Sequence, residues 1–131
     1  MKGQWTNIYS GDLPLKSWWV DSGNECEYVS IVLPEVFGIN NWIRNFSEKL
    51  AEQNVPVLAL PLYGRTAPNL DLGYGEEDLK LGRHHKNLTT LKNIIEDVSA
   101  AINWVKENIQ RRKSLLLDFV LAGTQHLLLL H

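Results

Sequence analysis

A carboxylate at Glu35, a guanidinium at Arg65 and adjacent imidazoles at His84 and His85 are the side chains with the chemistry to act on a substrate. Glu35 follows an apolar, β-prone run at 28–33 and precedes Phe37-Gly38. A carboxylate at the C-terminal end of a parallel strand stands where α/β proteins place their sites, and at a helix start it can equally serve the helix dipole. Arg65 lies in a stretch rich in Gly, Pro and Asn. Its planar fork suits a substrate carboxylate, and the same fork can hold its own loop in place. Lys80 and Arg83 carry the same charge but belong to no motif. His84 and His85 would point in different directions from a helix, and no Cys/His/Asp set at ligand spacing accompanies them; they read as surface residues. Glu76-Glu77-Asp78 reads as a solvated first turn. The single cysteine, Cys26, lies between Glu25 and Glu27, whose charges disfavour a thiolate, and before the first core strand. It is not expected to be a nucleophile.

These residues need elements to hold them. Residues 4–9 and 15–20 read as two strands around Ser10-Gly11-Asp12, an N-terminal hairpin in which adjacent Trp18 and Trp19 face opposite ways. The runs at 28–33 and 55–60 have the unbroken apolarity of strands buried on both faces. Between them Trp42, Phe46 and Leu50, with Ile43 beside them, recur at helical spacing behind a cap at Asn40 or Asn41. Strand, helix, strand is the unit of a parallel sheet. Residues 61–74 read as a long surface loop, 76–86 as weakly helical. Leu91, Ile94, Ile95, Val98, Ile102, Val105 and Ile109 then step by three or four, an amphipathic helix for a sheet face.

Composition narrows the function classes. The 131 residues have room for one domain. A formal charge of -2 gives no electrostatic reason to expect nucleic acid or an anionic membrane as partner. The start has no apolar core of the kind a signal peptide needs, and the leucine clusters near 115–117 and 127–130 fall short of a membrane span. The cytoplasm is the expected location.

Two segments carry a family resemblance. Ile31-Val32-Leu33-Pro34-Glu35-Val36-Phe37-Gly38-Ile39-Asn40, followed by a helix with Arg44, resembles the dienelactone hydrolase family, in which the first core strand runs into such a Glu-Val-Phe-Gly segment. Leu60-Pro61-Leu62-Tyr63-Gly64-Arg65-Thr66-Ala67-Pro68 is similar to a second family motif, with Leu62 where the family usually has Asp. The resemblance covers about 28–109 and implies an incomplete α/β-hydrolase fold: a parallel sheet with flanking helices behind an N-terminal hairpin. It implies a cysteine-nucleophile hydrolase of small cyclic or carboxylic esters. The glutamate matching Glu35 would help generate the thiolate, and the backbone N–H of Val36 would form half of an oxyanion hole. Donors fixed in this way stabilise the charge that acyl transfer builds on a carbonyl oxygen. The implied partner is an ester or lactone; no metal or organic cofactor is implied.

The chain departs from the family beyond the long helix. Where the elbow cysteine would stand, residues 117–124 read Leu-Asp-Phe-Val-Leu-Ala-Gly-Thr. Joining the third base of each codon to the first two of the next, from the Leu117/Asp118 junction, permits Gly, Phe, Cys, Phe, Gly, Gly and His in that order. Residues 1–112 are therefore expected to form the N-terminal part of the hydrolase domain. Residues 113–131 are expected to be a divergent tail, either an out-of-frame reading of the elbow or a natural divergent end. The nucleophile, Asp and His of such an enzyme are absent, and these residues alone are expected to be inactive. The alternative is a non-catalytic α/β binding or interaction module, although a flavodoxin-like phosphate turn would need more glycine than Gly38.

Overall fold

The computed structural model describes residues 2–23, 26–34, 38–67, 71–73, 75–108, 111–122 and 127–130. They form a six-stranded mixed sheet flanked by helices. β1 (Gln4–Ser10) and β2 (Leu13–Val20) are the hairpin, followed by β3 (Cys26–Pro34), α1 (Asn41–Glu52) and β4 (Val57–Ala59). α2 (Glu76–Leu88), α3 (Leu91–Asn108), β5 (Arg111–Ala122) and β6 (Leu127–Leu130) complete the order. The strands lie side by side as β1-β2-β4-β3-β5-β6. β3 is parallel to both β4 and β5, as Ile31↔Leu58 and Ile31↔Phe119 show, whereas β2 meets β4 antiparallel and β6 folds back on β5.

Strand alternation divides the core between two faces. Val29, Ile31 and Leu33 of β3 join Leu58, Trp19, Ala101 and Val105 on the α3 side. Val32 joins Val57, Ala59 and Ile43 on the α1 side. Trp18 and Trp19 do point opposite ways. Trp19 meets Trp104 of α3 edge-on at 5.3 Å, while Trp18 meets Trp5 at 5.0 Å and packs beside the α1 cluster.

The stripes that α1 and α3 turn to the sheet differ in part from the ones apolarity alone suggests. In α1 the buried residues are Ile43, Ser47 and Ala51. Trp42 is 45% exposed and stacks on Phe46, while Phe46 and Leu50 only flank the core. Small residues at the contact let the helix axis approach the strands, and the Ser47 hydroxyl is satisfied by the Ile43 carbonyl at 2.7 Å. In α3 the buried residues are Asp97, Ala101 and Val105, with Ile94, Val98 and Ile102 packed alongside. Leu91 and Ile95, expected in the core, are 73% and 57% exposed; Ile109 lies outside the described residues. Cys26 is the first residue of β3 rather than part of a preceding segment, and its thiol is buried. None of the described helices is long and apolar enough to cross a membrane.

Candidate functional site

The C-terminal end of β3 is fastened by a network beginning at Gly38. Its φ of 72° is left-handed, a conformation open to glycine without a Cβ penalty. This turn lets the chain reverse from strand to helix. Asn40 then caps α1: its Oδ1 accepts from the Ile43 amide at 3.1 Å. The other end of the same side chain donates through Nδ2 to the Leu72 carbonyl at 3.0 Å. Arg44 adds two bonds from Nη1, to the Ile39 carbonyl at 2.7 Å and to Asp71 Oδ2 at 3.0 Å. Gly38 and Asp71 also form an isolated antiparallel bridge. Residues 38–44 and 71–72 thus clamp the exit of the central strand. Residues 35–37, with Glu35 and Val36 among them, lie outside the described residues.

A second cluster forms one strand over, after β4. Residues 61–67 turn tightly, with the Gly64 amide bonded to the Pro61 carbonyl and the Ala67 amide to the Tyr63 carbonyl. Tyr63 and Leu62 are buried in the α3-side core, so the leucine at the family's usual Asp position serves as an apolar anchor. Arg65 reaches α3. Its Nε donates to both oxygens of Asp97 at 3.2 and 3.3 Å, and its Nη2 donates to Asp97 Oδ1 at 2.9 Å and Glu96 Oε2 at 3.0 Å. A longer bond, 3.4 Å, runs from Nη2 to the Ser10 hydroxyl at the hairpin tip. The Asp97 hydrogen bond holds the Arg65 pKa above the ordinary arginine value against the opposing effect of burial, with the charges of Asp97 and Glu96 adding to it. These are the bonds of a donor that stabilises its own loop. Thr66 Oγ1 also lies 3.0 Å from His85 Nδ1, tying the same turn to α2.

Asp97 is the residue that sequence reasoning missed. It shares a face with Ile94, Ala101 and Val105, and an acid in the middle of an apolar stripe requires a partner. That placement was its signal. His85 belongs to the Thr66 contact rather than to a metal set: among the described residues no group of three His, Cys, Asp or Glu side chains could hold an ion. Glu76 and Glu77 are solvated, as expected, while Asp78 reaches back to the Gly75 amide at 3.3 Å. Cys26 begins β3, at the opposite end of the strand from Pro34. Eight steps of extended chain, about 26 Å, separate it from Pro34.

A cleft of about 730 Å³ opens between the hairpin and α3, beside Arg65, with Glu96, Asn103, Trp104 and Glu107 on its helical wall. Its charged side chains, Arg65, Glu96 and Glu107, are mixed in sign.

The comparisons with known proteins agree with this architecture. Among solved structures, a dienelactone hydrolase from Klebsiella pneumoniae superposes with a TM-score of 0.72 at 18% identity, covering 92% of this chain and 48% of that one. The dienelactone hydrolase from Anabaena variabilis gives 0.55 at 13% identity, covering 94% and 52%. Likeness at these identities speaks for the fold. In sequence, a Synechocystis protein named carboxymethylenebutenolidase is 32% identical over 97 residues, which cover 72% of this chain and 39% of that protein. The chain therefore spans well under two thirds of the length of these relatives. The model of the dienelactone hydrolase family matches residues 20–117, the span that contains β3, α1, the Arg65 turn and α3. On that match this chain belongs to the dienelactone hydrolase family.

Proposed function

We propose that this domain is the N-terminal part of a hydrolase of small cyclic or carboxylic esters that works through a covalent thioester. These 131 residues by themselves do not turn over. What supports the reading is the sequence segment Pro34-Glu35-Val36-Phe37-Gly38, which lies inside the family match and begins with the last residue of β3. In the complete enzyme a cysteine thiolate attacks the ester carbonyl, and Glu35 takes up the thiol proton. The tetrahedral oxyanion is held in part by the Val36 amide; its collapse leaves the thioester and expels the alkoxide, which takes the proton back from Glu35 and departs as the alcohol. Water then attacks the thioester, releases the acid and returns the thiol. The only cysteine in this chain is the buried Cys26, which cannot fill the attacking role.

The test is to read the coding DNA from codon 109 onward in the shifted frame and to express the product with the frame restored. The expected product carries an elbow cysteine and hydrolyses p-nitrophenyl acetate or a simple lactone. Glu35→Gln in that product should lower kcat by about 10²-fold, a typical share for a proton-transfer group. The 131-residue chain should show no turnover. A shifted frame closed by early stop codons, or steady turnover by the 131-residue chain, would refute the reading.

A further inference from the structure

β1 is an outer strand of the sheet, and among the described residues nothing pairs with its free edge. Its register with β2 tells which backbone groups point there. Ser10↔Leu13 closes a two-residue turn, so Ser10, Ile8, Thr6 and Gln4 hold the hydrogen-bonded pairs with β2. Pro14, which has no N–H, accordingly falls opposite Tyr9 in a non-hydrogen-bonded pair. The amides and carbonyls of Trp5, Asn7 and Tyr9 are therefore turned outward. The side chains of these three residues stand on the α1 face, as the Trp5–Trp18 contact shows, and Trp5 and Tyr9 are 42% and 61% exposed. Proline, charge or a bulge commonly protects such an edge; residues 4–10 contain no proline and no charge, and their register with β2 is unbroken.

The strand is self-complementary about Asn7. A second β1 laid antiparallel, Asn7 opposite Asn7, sets Trp5 opposite Tyr9 twice and exposed Lys2 opposite exposed Asp12 twice. Aromatic meets aromatic and cation meets anion, the pairings that stabilise neighbouring strands. The outward groups of Trp5, Asn7 and Tyr9 then exchange backbone hydrogen bonds with those of the second strand. On the other face, Gln4 and Thr6 of the incoming strand enter the cleft between the hairpin and α3, where Ser99 and Asn103 offer hydrogen-bonding groups. A slip of two residues either way separates both the aromatic and the charged pairs. We infer that this edge joins two copies of the chain, β1 against β1 around a two-fold axis at Asn7, so that two six-stranded sheets become one. The inference does not depend on the hydrolase reading. A strand pair about 24 Å long makes a small interface, so the dimer is weak, with Kd about 10–100 µM.

The experiment is sedimentation equilibrium of the 131-residue chain from about 5 to about 300 µM at low salt, a range that brackets this Kd. The native chain should show a monomer–dimer equilibrium. Tyr9→Thr, at an exposed position and with a strand-forming replacement, should raise Kd about tenfold by removing both aromatic pairs. Lys2→Glu and Asp12→Lys should each raise Kd about 3- to 10-fold, because each sets like charges opposite one another twice. The double variant with both reversals restores opposite charges and should return to the native Kd. These exposed positions leave the core intact, and far-ultraviolet circular dichroism of each variant checks the fold. A chain that stays monomeric at about 300 µM leaves the edge to a foreign strand and overturns the inference. A dimer indifferent to all three single substitutions overturns it by placing the contact elsewhere, and a double variant without rescue overturns it by refuting the register.

Discussion

Replacing Asn40 by alanine tests whether the exit of β3 is held as described. The substitution removes two bonds made by opposite ends of one buried side chain: Oδ1 to the Ile43 amide and Nδ2 to the Leu72 carbonyl. Loss of a helix N-cap costs about 1 kcal/mol. Loss of a part-buried amide–carbonyl bond costs about 1 kcal/mol more. The sum, about 2 kcal/mol, corresponds to a fall of roughly 1 M in urea midpoint for a chain of this size, with an unchanged slope. Tryptophan fluorescence can follow the transition, since Trp18 and Trp19 report from opposite faces of the sheet. Asn40→Asp separates the two bonds. It keeps an acceptor for Ile43 and gains from the helix dipole, but loses the donor to Leu72, so its cost should be about 1 kcal/mol or less. Asn41→Ala, one position along and exposed, should stay within about 0.5 kcal/mol of the native chain. An Asn40→Ala variant with an unmoved midpoint, or an Asn41→Ala variant that loses more than it, would refute the assignment of the cap.

Asn54 has a φ of 63° just beyond α1. Asn54→Gly should be neutral or stabilising by up to about 1 kcal/mol and Asn54→Val destabilising by about 1–2 kcal/mol in the same urea assay. The buried Ser30 hydroxyl has no partner among the described residues. Ser30→Ala should therefore leave the stability unchanged or raise it by up to about 1 kcal/mol, and a clear loss would reveal a bond there. Leu58 is fully buried between the α3-side core residues, and Leu58→Ala should cost about 2–5 kcal/mol, read as the loss of a cooperative thermal transition. Arg65 has its folded pKa raised by Asp97, so its contribution is present below the ordinary arginine range and lost only as pH rises through the raised value. The stability difference between the native chain and Arg65→Gln should accordingly be the same at about pH 7 and about pH 10; a difference that shrinks over that interval would contradict the sign.

The strands were legible because parallel strands buried on both faces need unbroken apolar runs, and 28–33 and 55–60 supply them. The pairing of adjacent tryptophans with opposite faces followed from the two-residue period alone. The helix stripes were legible in kind but not in phase. Periodicity weighs large apolar side chains, whereas the closest helix–sheet contacts in α1 use Ser47 and Ala51. In α3 the acid Asp97 takes a core position that a hydrophobic count rejects, because its partner Arg65 is 32 residues away in sequence. The clamp at the β3 exit was hidden for the same reason: Arg44 and Asp71 stand 27 residues apart. The motif around Glu35 was readable as a family resemblance. Its neighbours Gly38, Asn40 and Arg44 prove to be the parts of that motif that set backbone geometry.

The sheet order has a consequence for how the chain is made. β3 pairs with β4 after a short crossover, but its other edge waits for β5, about ninety residues further on at Val29↔Leu117. Until β5 arrives, a nine-residue strand of mostly apolar side chains presents a row of open amides and carbonyls. Pairings this distant are slow to close, and the intermediate that lacks them is the species most exposed to wrong partners. Synthesis therefore holds the central strand half-dressed for most of the length of the chain. A holding chaperone acting during that interval, rather than on the finished fold, would govern how much of this domain a cell accumulates.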